Sequence, residues 1–238
     1  MKIGRAYKHL KEFDSLVVAH CNRTDLFTAT AREDIKNGRI IVRVEFAKIE
    51  GNIPLSLGDL VYNLRSGLDQ LAWQLCLSGG GDPGRDTMFP IYERDDGKSE
   101  ALFLKRVKHM PPEAVLIIRE LQPYNRGADY RKHALWQLNE LGNVDKHRLP
   151  AGRSTDTSFY IEPLGYTKTD FHDGMELSWP LSANGKVKLE GKTPTLTFGD
   201  PIENPSSRDQ LELTRYDVAE IYRYVREDVA PRFTPFLT

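Results

Sequence analysis

Residues 57–75 read LGDLVYNLRSGLDQLAWQL. Leu57, Leu60, Val61, Leu64, Leu68, Leu71 and Leu75 fall at helical spacing. At about 100° per residue they gather on one face of an α-helix. Pro54 precedes the stretch, Ser56 with Asp59 reads as an N-terminal capping pair, and Gly79-Gly80-Gly81 stops it. So wide an apolar stripe must be covered by other elements, and the flanking sequence offers helices to do so.

Toward the N-terminus, Leu10, Phe13, Leu16, Val17 and His20 form a second stripe, predicting a helix over 3–21. Two strand-like runs, Leu26 to Ala31 and Arg39 to Ile49, meet around Lys36-Asn37-Gly38. Asn-Gly signals a hairpin, because both central turn residues then take positive φ. Beyond the glycines, Phe89-Pro90-Ile91 reads as an extended piece pinning a loop to the core. Helices follow over 100–109, from Pro111-Pro112 to Leu121, and over 130–145. After Pro150 the texture changes to short strand-like runs: Phe159 to Pro163, Met175 to Leu181, Lys186 to Leu189 and Thr195 to Phe198. Turns fall at Asn184-Gly185 and Glu190-Gly191. Thr214 with Asp217 opens a last amphipathic helix carrying Val218, Ile221, Tyr222, Val225 and Val229 and ending near Pro231.

Without regular βαβ alternation the class is α+β. The expected architecture is a helical bundle core with an N-terminal β-hairpin insertion. A C-terminal, mostly antiparallel strand region is closed by a helix. The whole chain, 1–238, is expected to be a single domain. Its helical core covers about 1–22, 55–150 and 214–230, and its strand-rich parts about 25–50 and 155–200.

Composition narrows the function classes. The 238 residues carry 39% hydrophobic and 28% charged side chains, ordinary for a globular protein. A formal net charge of -1 gives no bulk pull on nucleic acid. The segment 101–153, however, holds ten Lys/Arg against five Asp/Glu, a local net of +5 and a minimal footprint for phosphate contact. Cys21 and Cys76 are too few for a disulfide framework or a four-sulfur zinc site. No phosphate loop, dinucleotide fingerprint, HExxH or nucleophile elbow is present, so no metal or cofactor is expected. Apolar runs are broken by charges such as Arg43 and Glu45, and no signal-peptide pattern opens the chain. A cytoplasmic protein without membrane association is expected.

Two helices bear polar residues that packing alone does not require. On the first, Asn63, Arg65, Asp69 and Gln70 flank the leucine stripe, with Arg65 and Asp69 spaced for an i,i+4 ion pair. On the second, Asn139, Asn143 and His147 lie opposite Leu138 and Leu141, closing with Asp145-Lys146-His147-Arg148. One reading is structural: an intrahelical pair, bridging asparagines and a solvated helix end. The other is a polar cleft between two helices. In it Arg65 binds an anion, His147 is an acid–base group, and Asn63, Asp69, Gln70, Asn139, Asn143, Lys146 and Arg148 bind.

The strings from Asp59 to Trp73, Phe89-Pro90-Ile91, Leu121-Gln122-Pro123-Tyr124 and Leu138 to Arg148 resemble a family of uncharacterised bacterial, actinobacterial and phage-borne proteins. The chain is also similar to the HEPN superfamily of helical proteins, found in toxin–antitoxin and antiphage systems. Active members are metal-independent ribonucleases with an Arg and a His on one helix, often paired across a dimer. Arg65 matches the first position, but Gln70 stands where the histidine would fall. Glutamine cannot exchange a proton at neutral pH. The resemblance therefore implies a catalytically degenerate protein binding RNA or a protein partner, in phage–host conflict. One alternative is an active endoribonuclease using Arg65 and His147. Another is a structural or self-assembling protein, such as a homodimer, with no ligand.

Overall fold

The computed structural model describes residues 2–147, 151–155, 159–161, 165–167, 176–180, 195–199 and 211–237. Helix α1 (Lys2–Cys21) leads into a hairpin of β1 (Phe27–Asp34) and β2 (Arg39–Phe46), followed by the long helix α2 (Asn52–Ser78). Helices α3 (Gly97–Arg106), α4 (Pro112–Glu120) and α5 (Ala134–His147) come next, with 3-10 turns over Pro123–Lys132 before α5. The strands β3 (Ala151–Thr155), β4 (Phe159–Ile161), β5 (Gly165–Thr167), β6 (Glu176–Pro180), β7 (Thr195–Gly199) and β8 (Glu212–Thr214) precede α6 (Arg215–Arg223). A π-helical turn (Tyr224–Val229) and a 3-10 turn (Ala230–Phe236) follow it. The class is α+β: a helical core with small antiparallel sheets.

Every member of the α2 stripe is buried, from 0% exposed at Leu57 and Leu68 to 8% at Leu71. Each such leucine contributes roughly 1.5–3 kcal/mol by leaving water. Helix α1 lies along this stripe and comes closest at Gly67, where an added Cβ would stand 2.7 Å from Ile3 Cγ1. Helix α5 crosses at Gly142, above Val61. The buried cluster continues through Phe89, Phe103, Ile118 and Leu138 to Phe198, Val225, Val229 and Phe233.

Local chemistry shifts several boundaries. Helix α2 begins at Asn52, not after Ser56, because Pro54 sits in a first turn where its missing N–H has no intrahelical partner to lose. The Ser56 hydroxyl turns back to donate to the Ile53 carbonyl, at 3.0 Å. The hairpin loop is longer than a two-residue turn: Asp34 pairs with Arg39 across a 3-10 turn, and only Gly38, not Asn37, has positive φ. Asp34 caps that turn by accepting from the Asn37 backbone N–H at 3.2 Å. Helix α3 starts earlier than expected because the Asp96 side chain accepts from Ser99 N. The Thr214–Asp217 capping box is present as read.

Strand pairing adds what periodicity could not specify. The sheets are β1-β2-β6, β3-β7-β8 and β4-β5. The run expected over 175–181 thus joins the N-terminal hairpin, with Val42 opposite Leu177. The expected run 186–189 and the turns at 184–185 and 190–191 lie outside the described residues.

The triple glycine does more than stop α2. A Cβ on Gly79 would stand 1.9 Å from the His109 carbonyl oxygen, so the helix end rests directly on backbone. Gly80 takes positive φ, 78°, and His109 opposite is also left-handed, at 68°.

Candidate functional site

Arg65 and Asp69 lie one turn apart on α2 and form the expected pair, with Arg65 Nη2 3.2 Å from Asp69 Oδ1. Their main engagement is with the chain opposite. Arg65 Nη2 donates to the Phe89 carbonyl at 2.7 Å, and Asp69 Oδ1 accepts from the Phe89 N–H at 3.0 Å. The two side chains therefore bracket one residue's backbone, doing what a neighbouring strand would do.

Gln122 repeats the device one residue further on. Its Nε2 donates to the carbonyls of Pro90, at 3.0 Å, and Ile118, at 2.9 Å, while Oε1 accepts from Tyr92 N at 3.0 Å. Gln122 is fully buried. An extended segment without a strand partner can be buried only if its polar backbone is satisfied, and these three side chains meet that requirement. Phe89 is thereby held at 0% exposure, edge-on to Phe233 with ring centres 6.2 Å apart.

Electrostatics fit a structural latch. Burial pushes the Arg65 guanidinium below its ordinary value, with Asp69 opposing that shift and nearby Arg106 adding to it. Arg65 Nη1 is buried with no partner among the described residues. Tyr92 Oη is likewise orphaned, and Arg106 lies over the Tyr92 ring, 5.1 Å from its centre.

The other expected site residues are dispersed. Asn63 is buried and donates to the Asp59 carbonyl at 2.8 Å, inside its own helix. Gln70 is exposed and lines a groove with Ile3, Leu71 and Gln74. Asn139 and Asn143 both donate to Glu140 Oε1, at 3.4 and 3.2 Å. Asn139 also lines an open cavity of about 600 Å³ walled by Tyr92, Glu93, Arg94, Asp96 and Trp136. Both charge signs line it, so it has no single electrostatic preference. Lys146 and His147 form the last turn of α5, their side chains outside the description, and Arg148 lies outside it altogether.

Three cations of the basic middle are paired in space. Lys105 pairs with Asp86 at 3.0 Å, Arg119 with Glu100 at 2.8 Å and Lys132 with Asp129 at 2.7 Å. Asp86 and Glu100 precede the segment, so its sequence count overstates the local field.

Sequence reasoning passed over Gln122, although the string Leu121-Gln122-Pro123-Tyr124 contained it. It also passed over the buried His133, whereas His20 was placed on the apolar stripe of the first helix. His133 is 5% exposed, and its Nδ1 accepts from Leu135 N at 3.1 Å at the start of α5. Burial, with a smaller push from Arg126, lowers its pKa to about 4. His20 is 3% exposed with both ring nitrogens unpartnered among the described residues, and burial also lowers its pKa. Beside it the Cys21 thiol is pushed up by burial, opposite to a reactive thiolate. Among the described residues no three His, Cys, Asp or Glu side chains cluster as a metal site would require. No helix among them is long and apolar enough to cross a membrane.

Set against known proteins, the chain finds no match: no family model, no curated protein and no solved structure.

Proposed function

We propose that the chain is a HEPN-like protein with a degenerate catalytic pair, acting in phage–host conflict by binding a protein partner. The engagement of Arg65 carries this reading. Its guanidinium is spent on the Phe89 carbonyl and Asp69, and Gln70, in the histidine's position, points to another surface. A guanidinium committed to backbone cannot also clamp a phosphate without releasing the segment it holds.

A protein partner is favoured over RNA by what the surface offers. Three cations of 101–153, Lys105, Arg119 and Lys132, are paired with acids, and α2 carries a second set of apolar side chains on one side. Leu55, Tyr62, Trp73 and Leu77 are 55%, 61%, 44% and 46% exposed. At about 100° per residue these four fall within an arc of about 60°. Exposed apolar side chains gathered on one side of a helix are a feature of interaction sites.

The test is cross-linking from a photoreactive group at Tyr62 in the intact protein. One discrete partner is expected, lost when Leu55→Ser is added. Salt-titrated binding to single-stranded RNA runs in parallel and is expected to be undetectable at low salt; tight binding would make RNA the partner. Solution mass is expected to be monomeric, and a dimer abolished by Tyr62→Ser would assign the stripe to a second copy. RNA cleavage by the purified protein that disappears in His147→Ala would overturn the binding-only reading.

A further inference from the structure

Two cavities adjoin where the start of α1 meets α2 and the C-terminal turns. The first, about 520 Å³, has Ile3, Gly67 and Leu71 along it, with Trp73 at its edge and Gln70 and Gln74 as its polar groups. The second, about 460 Å³, is lined by Tyr7, Tyr222 and Arg226. Ile3 and Ala230 line both, so the two lie side by side. Each has the size of a small-molecule site, and their polar groups are few, as such sites require.

The charge is one-sided: among the described residues no carboxylate lines either cavity. Arg226 lies against two rings, 5.8 Å from the centre of Tyr7 and 5.9 Å from that of Tyr222. Its Nη1 donates to the Tyr222 hydroxyl at 3.2 Å, and no acid pairs with it among the described residues. A guanidinium oriented this way keeps further N–H donors for a planar anion. Its placement depends on an uncommon backbone. In the π turn Tyr224–Val229, Ala230 N–H bonds the Val225 carbonyl, five residues back instead of four. Single π turns recur at functional sites.

We propose that the two adjoining cavities bind a small amphiphile bearing a carboxylate. Its apolar chain lies along Ile3, Leu71 and Trp73, and its carboxylate takes the outward N–H groups of Arg226. The site shares Trp73 with the apolar stripe of the partner reading, but its ligand chemistry does not depend on that reading.

Calorimetric titration of the intact protein with octanoate, 1-octanol and octylammonium, each below its aggregation threshold, tests this. Octanoate is expected to bind at least about tenfold more tightly than octanol, the factor one charge-assisted hydrogen bond supplies. Arg226→Gln, a change at an exposed side chain, is expected to erase that difference while octanol binding stays. Ala230→Phe, enlarging a residue that lines both cavities, is expected to weaken both. Octanol or octylammonium binding as tightly as octanoate would overturn the proposal, as would the absence of binding by all three.

Discussion

Replacing Arg65 with methionine keeps most of the aliphatic stem and removes the guanidinium. The Phe89 carbonyl then loses a hydrogen bond from a charged donor, worth roughly 1.5–3 kcal/mol. Asp69 loses its countercharge, but its side chain is 38% exposed, so water recovers part of that loss. Removing Nη1, which is buried without a partner among the described residues, returns some desolvation cost. The balance is a destabilisation of about 3 kcal/mol, below the upper range for breaking a fully buried ion pair. Urea unfolding followed by far-UV circular dichroism measures it, with the slope expected to stay constant while the midpoint falls. In Asp69→Asn the Phe89 N–H keeps an acceptor, so a smaller loss is expected, and the double variant should lose less than the two singles added. A change under about 1 kcal/mol in Arg65→Met, or strict additivity, would refute the latch. A catalytic arginine would behave oppositely, its removal abolishing activity with little effect on stability.

Gln122→Leu should cost about 3 kcal/mol by orphaning Tyr92 N–H and the Pro90 carbonyl, and hydrogen exchange at the Tyr92 amide should accelerate with it. Gly79→Ala should cost about 2 kcal/mol, because the new methyl meets the His109 backbone, while Gly84→Ala, with nothing within 4 Å, should leave the thermal midpoint nearly unchanged. His133 has a folded pKa of about 4 against 6.5 when unfolded, so between those values the unfolded chain binds more protons. Its contribution is therefore complete above pH 6.5 and lost as pH falls through the window toward 4, about 3 kcal/mol in all. Unfolding free energies of the wild type and His133→Asn, measured from pH 7.5 to 4, should converge by that amount, and parallel curves would exclude His133 as the cause.

What the sequence disclosed follows from what periodicity can encode. The α2 stripe announced itself because seven apolar side chains repeat at helical spacing and all end up buried. The Thr214–Asp217 cap was legible because both partners sit within one turn. The latch was visible only as its local half, the Arg65–Asp69 spacing. Its other half lies on Phe89, and a side chain reaching a backbone group 20 or 24 residues away leaves no periodic trace. Gln122, acting across 30 and 32 residues, left none either. The start of α2 was misplaced because Ser56 and Asp59 imitate a capping pair, whereas the conformational freedom of a first turn containing Pro54 is set by backbone geometry. The pairing of β2 with β6 was hidden for a related reason. Alternation identifies strands but does not say which strand lies beside which.

That pairing has a consequence for how the chain is made. The outer edge of β2, from Arg39 to Arg43, is complete only when residues 176–180 arrive. At about 5–20 residues per second, translation needs on the order of ten seconds to cover that interval. Throughout it the nascent hairpin offers an open row of backbone donors and acceptors to any other extended chain. Slow codons or a chaperone acting before residue 176 would therefore alter yield more than the same intervention later.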